Sequence, residues 1–146
     1  MKDFWMRGSD GCEKETSEAP LVSVVDDDAS VRRSTRRLLR CSALRAEAFA
    51  SSEEFLQSGR MAETACLLLD VSMPGMNGLE LQRRLAEIDR LIPIIFLSAH
   101  ASDEEERRAL QAGAAGFLRK PVSKEVLLHA IRAAIEIPRT NPERKL

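Results

Sequence analysis

The scarce features of this chain narrow its function first. Three cysteines among 146 residues, Cys12, Cys41 and Cys66, are too few and too unevenly spaced for a disulfide framework or a zinc site, and free thiols are expected. The histidines, only two, add no cluster of metal-ligand type, so zinc is not indicated. No apolar run approaches the roughly 18 residues of a membrane span. No glycine-rich loop of the P-loop or GxGxxG kind is present, so a nucleotide site is not indicated. A net charge of −1 gives no global attraction to nucleic acid or anionic lipid, and any electrostatic function must come from local clustering. The opening residues, MKDFWMRGSDGCEKETSEAP, lack the apolar stretch and cleavage site of a signal peptide. A cytoplasmic protein is expected, with no membrane or direct nucleic-acid partner.

The length suits one domain, and a hydrophobic share of 44% beside a charged share of 31% is that of a globular chain. Residues 1–19 are polar and aperiodic, which predicts a disordered tail, with Phe4-Trp5-Met6 a candidate docking segment within it. The domain is expected over residues 20–137, followed by a short tail at 138–146. Within it, LVSVV (21–25), AEAFA (46–50), CLLL (66–69), IPIIFL (92–97) and GFLR (116–119) read as strands. Between them, Val31, Thr35, Leu38 and Ser42 mark one face of a helix that carries Arg32, Arg33, Arg36, Arg37 and Arg40 elsewhere. Capping boxes at Ser51-x-x-Glu54 and Ser102-x-x-Glu105 announce two helices, the second leading into Ala109-Leu110, and Leu81, Leu85 and Ile88 mark another. The last runs from an N-cap at Ser123 through Leu127, Leu128, Ile131 and Ile135 to a stop at Pro138. Five strands alternating with five helices predict an α/β fold, a parallel sheet covered on both faces.

Ligands of open parallel sheets bind beyond the carboxyl ends of the strands. There the first strand ends in Asp26-Asp27-Asp28, the third in Asp70, the fourth in Ser98, and the fifth in Lys120-Pro121. Taken singly, each has an ordinary explanation as a turn, cap or solvated residue. Together they bring carboxylates, a hydroxyl and an ammonium to one edge of one sheet. Carboxylates this close repel by ~4 kcal/mol per pair at 4 Å and an effective dielectric of 20, so a cation is required. Lys120 neutralises one charge. A hard cation that uses few carboxylates and keeps its waters suits the rest, which indicates Mg²⁺. Such a set fits phosphoryl transfer, with Asp70 as the nucleophile at the end of the central strand.

The motifs VVDDD (24–28), LLLDVSMPGMNG (67–78), FLSAH (96–100) and GAAGFLRKP (113–121), in that order, resemble the receiver domain of response regulators in two-component signalling. The style is that of receivers that precede a helix-turn-helix output domain. The resemblance spans about residues 21–135 and implies a flavodoxin-like, doubly wound sheet of strand order 2-1-3-4-5. It implies that Asp70 accepts a phosphoryl group from a phosphohistidine on a sensor histidine kinase or phosphotransfer protein. Asp26 and Asp27 would hold Mg²⁺ directly or through water, with Asp70 and the backbone carbonyl of Ser72 completing its shell. Ser98 takes the switch hydroxyl position, Lys120 pairs with a phosphoryl oxygen, and Phe117 is the switch aromatic. Lys120-Pro121 is expected to be cis. Ser72 and His100 occupy positions that tune hydrolysis of the acyl phosphate, whereas an exposed histidine at a helix start is also an ordinary surface residue.

By the same resemblance the arginine-bearing first helix docks the kinase, although a solvated face has the same composition. The fourth and fifth helices offer a surface for a homodimer. RTNPERKL (139–146) is too short for a helix-turn-helix, so either the protein acts through protein contacts alone or it is part of a longer transcriptional regulator. Such a protein is a phosphoacceptor in a phosphorelay and not a metabolic enzyme, catalysing only its own phosphorylation and dephosphorylation. Two other classes stay open. One is a receiver-like module that binds partners without phosphorylation. The other is a Mg²⁺-dependent phosphohydrolase, disfavoured because Ser72 stands where a second acid would be needed.

Overall fold

The computed structural model describes residues 18–137; all but the last two residues of the expected tail at 1–19, and the whole of that at 138–146, lie outside the described residues. Ten elements alternate strictly: β1 (Leu21–Val25), α1 (Ala29–Arg40), β2 (Arg45–Phe49), α2 (Ser52–Gln57), β3 (Thr64–Leu69), α3 (Gly78–Glu87), β4 (Ile94–Ser98), α4 (Asp103–Gln111), β5 (Gly116–Arg119) and α5 (Lys124–Ile135). The strands form one parallel sheet in the order β2-β1-β3-β4-β5; the alternating pattern predicts the parallel sheet, and the resemblance implies this order.

Period-two alternation divides the core between the two faces of the sheet. Val25, Leu67, Leu69 and Phe96 point to one face, where Phe55 of α2, Leu81 and Leu85 of α3 and Ala109 of α4 cover them. Val22, Val24, Cys66, Leu68, Ile95 and Leu97 point to the other, under Leu38 and Leu39 of α1 and Leu127 and Ile131 of α5. Strands buried on both faces carry near-continuous apolar runs, which is why β1, β3 and β4 read so plainly. The cover stabilises the fold by about 1.5–3 kcal/mol for each fully buried large side chain.

Local chemistry sets the helix ends. Ser51, Ser102 and Ser123 each cap a helix by accepting from the backbone amide three residues on. At Ser102 the full reciprocal box forms with Glu105. At Ser51 it does not, since the Glu54 carboxylate reaches back to the Ala50 amide at 2.7 Å. A further box, Asn77 with Glu80, opens α3.

Other expectations need correction. Ile88 and Leu110, placed on apolar helix faces by their spacing, are exposed; Ile88 lies just past the end of α3, and Leu110 sits beside Ala109, which already fills the inner face of α4. Ser42 lies past the end of α1 and donates to the Leu38 carbonyl at 3.0 Å. β3 begins two residues earlier than the apolar run, with a register shift against β1 between Leu21 and Val22. Thr64 is buried there because its hydroxyl pairs with Ser23 at 2.8 Å and donates to the Arg60 carbonyl at 2.7 Å. Cys66 is a free, buried thiol that burial pushes up to about 12. The Lys120-Pro121 peptide is cis, as the resemblance implies.

Candidate phosphoacceptor site

The ladder extends one residue past the strands and sets the site. Asp26 donates its amide to the Phe49 carbonyl at 3.1 Å, Asp70 to the Val25 carbonyl at 3.1 Å, and Lys120 to the Ser98 carbonyl at 2.9 Å. Three strand ends are thereby held side by side. Asp26, Asp27 and Asp70 each offer a carboxylate oxygen within 4.8 Å of the others. Asp26 is buried, Asp70 half-buried and Asp27 exposed, so the cluster opens to solvent at one side.

Asp26 is fully engaged. Its Oδ2 accepts from Lys120 Nζ at 2.8 Å and its Oδ1 from the Asp28 amide at 2.9 Å. Its backbone carbonyl accepts from Arg32 of α1 at 2.7 Å. Asp28, by contrast, turns away to cap α1, its Oδ1 accepting from the Ser30 hydroxyl at 2.7 Å and the Ser30 amide at 2.9 Å. Those bonds hold the Asp28 carboxyl below its usual range.

Asp70 is the strained member. Burial, and then the Asp26 carboxylate beside it, push its carboxyl above the ordinary range, only partly offset by Lys120, Ser98 and the Ser72 amide. That amide bonds Asp70 Oδ1 weakly, at 3.4 Å. The Ser98 hydroxyl is buried and lies near enough to lend the carboxylate some support, yet reaches hydrogen-bond geometry with nothing. A carboxylate with few donors and a hydroxyl with no partner, both beside a partly buried ion pair, form a site suited to a polar ligand. Three carboxylates without His or Cys are a hard donor set, suited to a cation such as Mg²⁺.

The loop after Asp70 is shaped by two glycines. Gly75 adopts φ +74° with the Glu53 carboxylate 2.9 Å from where its Cβ would be, and that carboxylate accepts from the Met76 amide at 3.0 Å. At Gly78 a Cβ would stand 2.3 Å from the Asp70 carbonyl oxygen and 3.1 Å from the Phe96 ring. Only glycine lets α3 begin so close behind Asp70. A close approach across the sheet edge leaves no local pattern in the sequence.

The structure thus brings Asp26, Asp27, Asp70, Ser98 and Lys120 into one site. Ser72 follows it on an exposed turn, and His100 is exposed beyond Ser98. Phe117 is half-buried on β5, stacked on Phe96 with centroids 5.6 Å apart. Residues 22–132 match the family model of the response regulator receiver domain. The chain belongs to this family. The receiver is 43% identical over 140 residues to nodulation protein W of Bradyrhizobium diazoefficiens, covering 96% of this chain and 61% of that protein. It therefore spans about three fifths of that relative's length. Among solved structures it resembles the response regulator StyR, with TM-score 0.76 and 43% identity over 87% of this chain and 63% of that one. A response regulator receiver protein from Burkholderia phymatum is also similar, with TM-score 0.70 and 42% identity over 84% of this chain and 99% of that one. Among the described residues no helix is long and apolar enough to cross a membrane.

Proposed function

We propose that this receiver is a Mg²⁺-dependent phosphoacceptor whose acceptor is Asp70. The observation that carries the reading is the clustering of Asp26, Asp27 and Asp70 within 4.8 Å, with one lysine among them. Asp26, Asp27, Asp70 and the Ser72 carbonyl would hold Mg²⁺, which when bound supplies the positive charge that three carboxylates and an incoming phosphoryl group require. An Asp70 oxygen attacks the phosphorus of a phosphohistidine on a sensor kinase or phosphotransfer protein. The O–P bond forms as the N–P bond breaks, and the imidazole keeps the bonding pair. Lys120, now on Asp26, is placed to exchange that partner for a phosphoryl oxygen. The partnerless Ser98 hydroxyl can turn to another.

Phosphorylation adds about −1.5 to −2 of charge at one strand end. Ser98 engagement draws on the segment that leads into α4, and Phe117 lies beside that segment, so the output surface is α4, β5 and α5, where a second copy would dock. Ser72 and His100 are exposed beyond Asp70 and Ser98, and by the family pattern they would tune the lifetime of the acyl phosphate. The arginine face of α1 borders the same edge and would meet the phosphodonor. Incubation with acetyl phosphate and Mg²⁺, followed by intact mass measurement, tests the reading. A Mg²⁺-dependent gain of one phosphoryl group supports it. No gain in a folded protein refutes it and favours a phosphorylation-independent interaction module.

A further inference from the structure

One side chain ties the moving and fixed parts of this proposed switch together. Arg119 closes β5, an edge strand held to β4 from Ile95↔Gly116 to Ser98↔Arg119. Its Nη1 donates to the Ala101 carbonyl at 2.7 Å, in the loop that follows Ser98. Its Nε and Nη2 donate to Glu106 Oε1 at 3.1 and 2.7 Å, and Nη2 reaches Asp103 Oδ1 at 3.2 Å, both in the first turns of α4. The guanidinium carbon also lies 5.6 Å from the centroid of Phe117. A single fork therefore spans the loop backbone, the start of α4 and the aromatic ring.

We infer that Arg119 is a positioning residue that brakes the switch, holding the loop after Ser98 in its unphosphorylated arrangement; this rests on the receiver reading above. Ser98 has no hydrogen-bond partner here. In this brake the hydroxyl turns to a phosphoryl group on Asp70 and draws the loop from Ala99 to Ala101 toward the acidic cluster, while the ladder keeps Ser98 and β5 in place. The bond from Arg119 to the Ala101 carbonyl crosses that boundary and is stretched by the shift. Contacts made in one arrangement and lost in the other bias the equilibrium toward the first. The Arg119 side chain is 40% exposed, so its ion pairs with Asp103 and Glu106 are weak. The charge-assisted bond to the carbonyl is the stronger tie. The ring of Phe117, covered by the same guanidinium, is restrained with it.

The test uses the full chain and titrates beryllofluoride, a phosphoryl mimic, in saturating Mg²⁺ by calorimetry. Wild type is compared with Arg119→Leu, which keeps an apolar cover over Phe117 but cannot bond Ala101, and with the double variant Asp103→Asn/Glu106→Gln, which keeps the carbonyl bond. Arg119→Leu is expected to bind the mimic about three- to tenfold tighter, on the scale of one charge-assisted hydrogen bond partly recovered by water. The double variant should change by at most about twofold, and affinity for Mg²⁺ alone should not change in either. Saturable binding by wild type with equal or weaker binding by folded Arg119→Leu overturns the brake alone. Absence of binding by wild type overturns the receiver reading and the brake with it.

Discussion

The two ends of the sheet handle charge in opposite ways. Near the amino ends of β2 and β3, Glu63 is gripped by Arg45 at 2.9 Å and Arg60 at 2.8 Å, and Arg60 also approaches Glu47 at 3.8 Å. Hydrogen bonds from Arg45 and Arg60 hold the Glu63 carboxyl below its usual range. At the carboxyl ends, three carboxylates share the ammonium of Lys120, and the Asp70 carboxyl is pushed up. The same kinds of residue make a satisfied network at one end and a charge-deficient one at the other. A parallel sheet tolerates such a deficit only where something binds to relieve it, and perturbed carboxyls gathered at strand ends are where function is expected.

The largest effect that would break this contrast comes from the backbone behind Asp70. Gly78→Ala puts a methyl group against the Asp70 carbonyl and should cost about 2–3 kcal/mol in urea unfolding, with phosphoryl acceptance falling in parallel. Lys120→Ala removes the cation from a site already short of positive charge. It should cost about 2 kcal/mol, less than a wholly buried pair because the lysine is partly solvated, and added Mg²⁺ should restore part of the loss.

Asp70→Asn sharpens the contrast in the other direction. Removing one screened like-charge contact should stabilise the protein by about 1 kcal/mol at neutral pH. Because the folded-state carboxyl is raised, its favourable contribution is complete below the unfolded value of 3.8 and is lost as pH rises through the folded value. The gain of the variant over wild type should therefore vanish at pH below 3.8 and grow above it, as thermal unfolding across pH would record. At the opposite end the sign reverses. The lowered Glu63 carboxyl contributes stability above its unfolded value that is lost as pH falls. Its group is solvent-exposed, so Glu63→Gln should leave the unfolding midpoint unchanged within error at physiological salt.

Much of this was legible in the chain itself. The doubly buried strands declared themselves because burial on both faces leaves nearly continuous apolar runs, broken in β1 only by the hydrogen-bonded Ser23, so an aspartate closing CLLLD (66–70) stood out. Ser51, Ser102 and Ser123 announced helix starts because capping is a local interaction between neighbours in sequence. What stayed hidden depends on contacts between distant segments. The requirement for glycine at position 78 comes from the Asp70 carbonyl across a turn. The role of Asp28 as a cap for α1, separate from the Asp26–Asp27 pair, is a choice between two uses of one side chain that spacing does not reveal. The reach of Arg119 from β5 to Ala101 and α4 spans 18 residues to the carbonyl. Ile88 and Leu110 fit helical periodicity yet face solvent, because periodicity does not say where a helix stops or how wide a stripe its neighbours cover.

In the proposed function the charge-deficient end of the sheet receives a phosphoryl group at Asp70. Its most direct test is to treat wild type and Asp70→Asn with acetyl phosphate and Mg²⁺, quench in acid, and map the modified peptide by mass spectrometry. One phosphoryl group is expected on the peptide containing Asp70 in wild type, none without Mg²⁺ and none in the variant. A phosphoryl group elsewhere, or an equal gain in Asp70→Asn, would contradict it.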